Sequence, residues 1–248
     1  MVTDEVVHLH VDDAVATVTL DSPANRNALS RRLVDQLGRC LENAVAVESV
    51  RVVVLQSAHP VFCAGADLGE ALQDGMADAA RALVALQRRM VALPVPVLVR
   101  VDGPVRGGGL GLVAAADVVV AARTATFALT EVRLGLAPAV VSLTLVPRVS
   151  ARGLSMAALS GAVFGAEEAA AMGLVTTVAA DDDVDAAVTG ALAALCRGAA
   201  QGLRETKALL NAPVLAHIDE WGEQMAEHSA ALFGSAAARA AMRAFLDH

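Results

Sequence analysis

The stretch Arg51-Val-Val-Val-Leu-Gln-Ser-Ala-His-Pro-Val-Phe-Cys-Ala-Gly-Ala-Asp67-Leu68 decides how this chain is read. Val50–Gln56 is a short apolar run rich in β-branched residues, the pattern of a strand buried on both faces. Residues 57–69 read as a loop, and 77–93 as a helix closed by Pro94 and Pro96. Pro96–Val101 is strand again, 107–116 a short helix led by glycines, and Asp117–Ala122 a further strand. Strand, loop, helix and parallel strand thus recur near 50–101 and 97–122. That order predicts an α/β core whose sheet is covered on both faces.

Upstream, residues 5–20 alternate with period two around Asp12-Asp13, which predicts a hairpin. Ser30 is placed to cap a helix over 31–47, with Leu33, Leu37, Cys40, Leu41 and Ala44 on one face. Downstream the chain reads mainly as helix, over 139–160, 166–172, 182–200, 202–211 and 216–247, with a strand near Val175–Val178. Asp181-Asp182-Asp183 is expected to cap the helix that follows it, where the macrodipole favours negative charge. The division expected is a core over 1–190 and a helical region over 191–248 within one functional unit.

Composition narrows the function classes. The 248 residues are 56% hydrophobic, carried by Ala, Val and Leu, with 19 Gly, no Tyr, one Trp and five Phe. Mean hydropathy is +0.54. A chain this apolar is not intrinsically disordered, and its length suffices to bury roughly three quarters of its unfolded surface. The most apolar stretch, 93–122, is interrupted by prolines, Arg100, Asp102, Arg106 and Asp117, so no spanning helix of about 20 apolar residues is expected. The acidic N-terminal MVTDEVVHLH opens like a strand and does not read as a signal peptide. Three distant cysteines (Cys40, Cys63, Cys196) form no CxxC, and the expected location is cytoplasmic. A net charge of −8 without any basic cluster argues against nucleic acid as partner. Lys207 is the single lysine and follows no glycine-rich loop, so it is the only residue that could form a Schiff base.

Three segments could carry chemistry. In Val61–Leu68 the small residues Ala64, Gly65 and Ala66 let backbone N–H groups approach a ligand closely; a tight surface turn would look the same. Gly107-Gly108-Gly109-Leu110-Gly111 places free N–H groups at a helix start, a setting that suits a negative charge. It is neither GxGxxG nor a P-loop, and crowding against a neighbour would explain the glycines equally. In Phe127–Pro138, Glu131 lies in an apolar run. It is either paired with an arginine, Arg133 among them, or poised for proton transfer with a raised pKa. His8 and His10 share a strand face but have no carboxylate or cysteine pattern to make a metal site, and none is expected. Cys63 with His59 could form a nucleophile and base, although a small buried cysteine beside a glycine turn fits packing better.

In this order, SPANRNALS (22–30), RVVVLQSAHPVFCAGADL (51–68), VDGPVRGGGLGLVAAADVVVAA (101–122), FALTEVRLGLAP (127–138) and FGAEEAAAMGLV (164–175) resemble the enoyl-CoA hydratase/isomerase (crotonase) family over about residues 12–246. The resemblance implies a crotonase-like spiral of ββα units. It also implies a C-terminal helical region that forms a homotrimer or a dimer of trimers. The implied substrate is an acyl-CoA thioester, with coenzyme A as part of that substrate and no further cofactor. The backbone N–H groups of Ala66 and Gly108 would form the oxyanion hole. Arg26, Ala28, Ala64, Gly65, Asp67, Leu68, Arg106 and Gly107 would line the CoA and acyl path, with the segment Asn27-Ala28-Leu29 holding CoA through its backbone. Glu131 matches a catalytic carboxylate of the family.

Gly111 is the departure, because two-carboxylate hydratases carry a second Glu there. One Glu at the 131 position resembles the enoyl-CoA isomerases. It also resembles a hydratase subgroup with GGG-x-G and SEVR-x-GLAP, including methylglutaconyl-type enzymes, and the surrounding residues are nearest to that subgroup. The expected activity is therefore hydration of 2-enoyl-CoA. The alternatives are Δ3-Δ2-enoyl-CoA isomerisation, a catalytically weak acyl-CoA-binding protein, and a thioesterase. Arg106 stands where the family usually has a small or apolar residue. Asp102, Glu131 and a substrate carboxylate are its candidate partners.

Overall fold

A computed structural model describes residues 5–246. The hairpin forms as β1 (Val7–Asp12) and β2 (Val15–Leu20), antiparallel with Val7 opposite Leu20. Asp13 makes its turn in the left-handed region at φ 50°. The expectation for Met1–Asp4 lies outside the described residues. α1 (Arg31–Ala46) starts where its cap predicts, the Ser30 hydroxyl accepting from Leu33 N. Its stripe of Leu33, Leu37, Leu41 and Ala44 is buried.

Next come β3 (Val52–Ser57), α2 (Leu68–Asp74), α3 (Ala77–Ala92), β4 (Val97–Val101), β5 (Val105–Arg106), α4 (Gly108–Ala115), β6 (Val118–Ala122) and β7 (Thr126–Ala128). The second half holds α5 (Ala139–Leu145), α6 (Ala151–Ser160), β8 (Phe164–Gly165), α7 (Ala166–Ala171), β9 (Thr177–Ala179), α8 (Val184–Cys196), α9 (Ala200–Gly234) and α10 (Ala236–Leu246). The main sheet runs β1-β2-β3-β4-β6-β9, parallel from β2 onward. Both of its faces are covered, as the apolar runs predict. Val53 and Leu55 enter the large core with α1, α3 and α4, while Val52, Val54, Leu98 and Val120 pack against Val184 and Val188 of α8.

The structure corrects several element boundaries. The helix expected over 139–160 breaks at residues 146–150 around Pro147, leaving α5 and α6. The helices expected over 202–211 and 216–247 divide elsewhere. α9 runs unbroken through Pro213, and the break falls at Ser235. A proline removes one hydrogen bond, but Asn211, Val214, Ile218 and Gly222 hold both sides of it against the core. The triad Asp181–Asp183 forms a 3₁₀ turn and caps nothing with its side chains; Asp181 instead accepts from Thr124 N at 3.2 Å. A second sheet, β5-β7-β8, has strands of two or three residues, too short to show a period in sequence.

α9 is fixed to the sheet by one buried polar cluster. Lys207 Nζ donates to Met90 O, Val95 O and Asp117 Oδ2 at 3.0, 2.9 and 2.8 Å. Asn211 donates to Val91 O and to Asp117 Oδ1, and accepts from Arg148. The one lysine is thus a structural strut, and burial pulls its pKa down from the usual value. Removing one member of a buried pair leaves the other charge poorly compensated. Lys207→Met is expected to lower unfolding free energy by about 3 kcal/mol, measured by urea denaturation. A change under about 1 kcal/mol would mean that the cluster contributes no more than a surface pair.

Candidate active site

Three loops meet at the end of the parallel sheet, joined backbone to backbone. Leu29 N donates to Gly65 O at 2.7 Å, Ala64 N to Arg26 O at 3.1 Å, Arg106 N to Cys63 O at 2.9 Å, and Gly107 N to Ala128 O at 3.0 Å. The approach is close enough to require glycine. Gly65 has φ +96°, and a Cβ there would stand 3.2 Å from the Arg106 carbonyl. Gly107 has φ +46° and faces Glu131 Oε1 at 3.2 Å from its missing Cβ. The N–H groups of Ala66 and Gly108 donate to no acceptor among the described residues. One comes from the small-residue turn, the other from the first turn of α4.

These loops border a cleft of about 1040 Å³. Arg26, Ala28, Ala64, Gly65, Ala66, Asp67, Leu68, Arg106, Gly107, Gly108 and Glu131 all line it. Gly111 does not, since it sits within α4 facing Gln87 and Val141. Asn27 is fully buried and its side chain serves the loop itself, accepting from Ser22 N and donating to Ser57 Oγ and Val61 O. Of Asn27-Ala28-Leu29, therefore, only Ala28 lines the cleft. Asp67 is occupied as well, capping α2 through Glu70 N and accepting from Asn25.

Glu131 begins a 3₁₀ turn ended by Gly135 in the left-handed region. Its Oε2 is buried without a hydrogen-bond partner. Neither Arg133 nor Arg106 pairs with it, so the ion-pair reading is not realised; burial alone pushes the carboxyl up to about 7. Arg106 turns its guanidinium to Val105 O, Thr126 O and Thr126 Oγ1. Asp102 pairs with Arg100 instead. The Cys63–His59 pair does not form either. Cys63 is wholly buried with its thiol pushed up to about 12, and His59 is joined to Asp21 at 2.7 Å. His8 shares that carboxylate. Among the described residues no group of three or more His, Cys, Asp and Glu is placed to hold a metal.

The far wall was not foreseen. Met76 at the start of α3 and Ala80 and Leu83 within it line that wall, and Phe233, Ala241 and Phe245 close it from α9 and α10. α10 packs on its own chain, burying Ala238 and Met242 against Ala71, Leu136 and Phe233. Only the alternation of small and apolar residues in Ala236–Phe245 hints at this in sequence. Chemically, the site offers two N–H donors for an oxygen that gains negative charge. Beside them stands a carboxyl group able to take or give a proton near neutral pH.

Known proteins share the sequence pattern and the fold of this chain. The sequence model of the enoyl-CoA hydratase/isomerase family matches residues 10–248. The chain belongs to that family. An enoyl-CoA hydratase from Mycobacterium avium superposes with a TM-score of 0.92 at 44% identity, covering 99% of this chain and 97% of that one. The 1,2-epoxyphenylacetyl-CoA isomerase of Escherichia coli is 34% identical over 186 residues, 72% of this chain and 71% of the relative. An Alternaria alternata enoyl-CoA hydratase is 36% identical over 172 residues, 69% of this chain but 58% of that longer protein. The fold is thus crotonase-like.

Glu131 also makes stability depend on pH. Its carboxyl binds a proton more tightly in the folded chain than in the unfolded one, about 7 against 4.5. Between those values the folded state holds more protons, so stability falls as pH rises. Glu131→Gln removes this penalty. The variant is expected to be more stable than wild type by up to about 3 kcal/mol above pH 7, with the gain vanishing below pH 4.5. Thermal unfolding at pH 4.5 and pH 8 measures it; an equal shift at both would place the carboxyl in a solvated setting.

Proposed function

We propose that the protein is an enoyl-CoA hydratase that adds water syn across the 2,3-double bond of a 2-enoyl-CoA thioester. The observation that carries this reading is the unpaired, buried Glu131 oxygen beside the two free N–H groups of Ala66 and Gly108. The thioester oxygen accepts from both N–H groups. Glu131 carboxylate takes a proton from water, the hydroxyl adds to C3, and the electron pair of the double bond moves into an enolate. The protonated Glu131 then returns the proton to C2, and the carboxylate is restored. Removal of one such N–H donor typically costs 10²–10³ in rate, about 3–4 kcal/mol. The CoA moiety lies along Arg26, Ala28, Ala64, Asp67 and Leu68, and no further cofactor takes part. We infer a homotrimer or dimer of trimers in the cytoplasm.

A second reading is favoured by Gly111. Glu131 and Asp67 are the carboxylates that line the cleft, and Asp67 is already hydrogen-bonded. One free carboxylate suffices for Δ3-Δ2-enoyl-CoA isomerisation, taking a proton from C2 and returning it at C4.

Incubation with crotonyl-CoA in ¹⁸O-labelled water, read by mass spectrometry, separates the two. Hydration predicts gain of one labelled water on the acyl group, lost by at least about 10³-fold in Glu131→Gln with acyl-CoA affinity kept within a few fold. An unchanged 2-enoyl thioester, together with migration of the double bond in a 3-enoyl-CoA, would replace hydratase by isomerase. Unchanged turnover in Glu131→Gln would remove Glu131 from either mechanism.

A further inference from the structure

One polar side chain on the far wall of the cleft takes no part in the reaction written above. Ser229 of α9 is 6% exposed and lines the cleft. It lies one turn before Phe233 on the stripe that α9 turns inward. α9 runs antiparallel to α3, Asp219 meeting Arg88 and Glu223 meeting Arg81. That direction brings Ser229 alongside the start of α3, where Met76 and Ala80 form the same wall.

Its hydroxyl is unpartnered. A serine inside a helix commonly bonds back to the carbonyl four residues earlier, as Ser155 does to Ala151 O and Ser160 to Met156 O. Ser229 makes no such bond, and no other among the described residues. The side-chain atoms that are both sealed off and without a partner are Gln87 Nε2, Glu131 Oε2 and Arg148 Nε. Ser229 Oγ is not one of them. It is therefore open to the space that its residue lines, and that space is the cleft.

The surroundings decide what this hydroxyl can meet. Met76, Ala80, Leu83, Phe233, Ala241 and Phe245 give the wall an apolar surface without charge. An alkyl chain laid against it would cover the hydroxyl and strip its water without returning a hydrogen bond. A carboxylate would find no cation among these side chains. A neutral oxygen on an otherwise apolar chain meets both conditions, since it bonds the serine while its carbons lie against Leu83 and Phe233.

We propose that Ser229 selects acyl-CoA substrates whose chain carries a hydroxyl or keto oxygen beyond C3, through a hydrogen bond to that oxygen. This rests on the reading of the cleft as an acyl-CoA site with the thioester oxygen at Ala66 and Gly108. Ser229 touches no reacting atom, so it sets which chain is bound and not how C2 and C3 react.

Titration calorimetry of the whole protein with octanoyl-CoA and with 5-, 6-, 7- and 8-hydroxyoctanoyl-CoA tests this, the series scanning the oxygen along the chain. These saturated thioesters report on the cleft alone, whether the enzyme hydrates or isomerises. At least one hydroxylated chain is expected to bind about tenfold tighter than octanoyl-CoA. Ser229→Ala is expected to reduce that preference to within about twofold. Alanine suits a helix better than serine, so the variant keeps its fold. Octanoyl-CoA bound as tightly as every hydroxylated chain would overturn the proposal. So would a preference unchanged in Ser229→Ala, which would place the recognition elsewhere on the wall. Binding of none of these thioesters by the wild type would overturn the acyl-CoA reading itself, and this inference with it.

Discussion

The close approach of Gly65 to Gly107 is the constraint on which the rest of the site depends. Two chain segments on successive strands meet with an Arg106 carbonyl 3.2 Å from where a side chain at 65 would begin. Both glycines are in conformations that L side chains rarely adopt. With that contact made, Ala66 and Gly108 both line the cleft, and their N–H groups lack acceptors among the described residues. The contact is itself held by strands: β3 and β4 are parallel neighbours, and the loops leave them at the same edge. Ligand sites gather at this end of parallel strands because the helix that follows begins there, with unsatisfied N–H groups facing outward.

The second constraint is the burial of α4. All eight of its residues are buried. A Cβ on Gly109 would meet Cys63 at 2.8 Å, so Cys63 is explained as a small packing partner of the helix and not as a nucleophile. A dry setting strengthens the pull of the helix N-terminus on an anion and raises the cost of a nearby carboxylate. The same packing that buries the start of α4 therefore moves Glu131 toward neutrality. The two properties are one consequence of excluding solvent.

Much of this was legible in the residues. β3, β4 and β6 are short valine-rich runs, Ser30 is a sound cap, and the setting of Glu131 in Phe127–Pro138 signals a shifted carboxyl. What was not legible arises from distance in the chain. α9 continues through Pro213 because residues on both sides of it are packed, which no local propensity reports. The small sheet β5-β7-β8 is held by pairs of residues as far apart as Thr126 and Gly165, in strands each too short for a periodic signal. The burial of Gln87 against Gly111 and Thr144 is likewise a tertiary contact that no local pattern reports. The cover that α10 lays over its own cleft is likewise a tertiary choice: the same small-residue helix would suit an interface between subunits.

This division has a chemical counterpart. The parts shared by any reaction through a thioester enolate, namely two backbone donors and a solvent-excluded helix start, come from glycines and strand order, and these are what the sequence shows plainly. The polar side chains that adjoin α4 come from elsewhere: Glu131 from the turn after β7, Gln87 from α3, Thr144 from α5. Such groups can be exchanged without disturbing the backbone contact between Gly65 and Gly107. A fold that fixes the anion site in its backbone and leaves proton and water handling to adjoining helices can therefore change reaction at little structural cost. Gly111 beside Gln87 is one such contact: a side chain at 111 would begin 2.8 Å from the Gln87 amide nitrogen and would have to displace it.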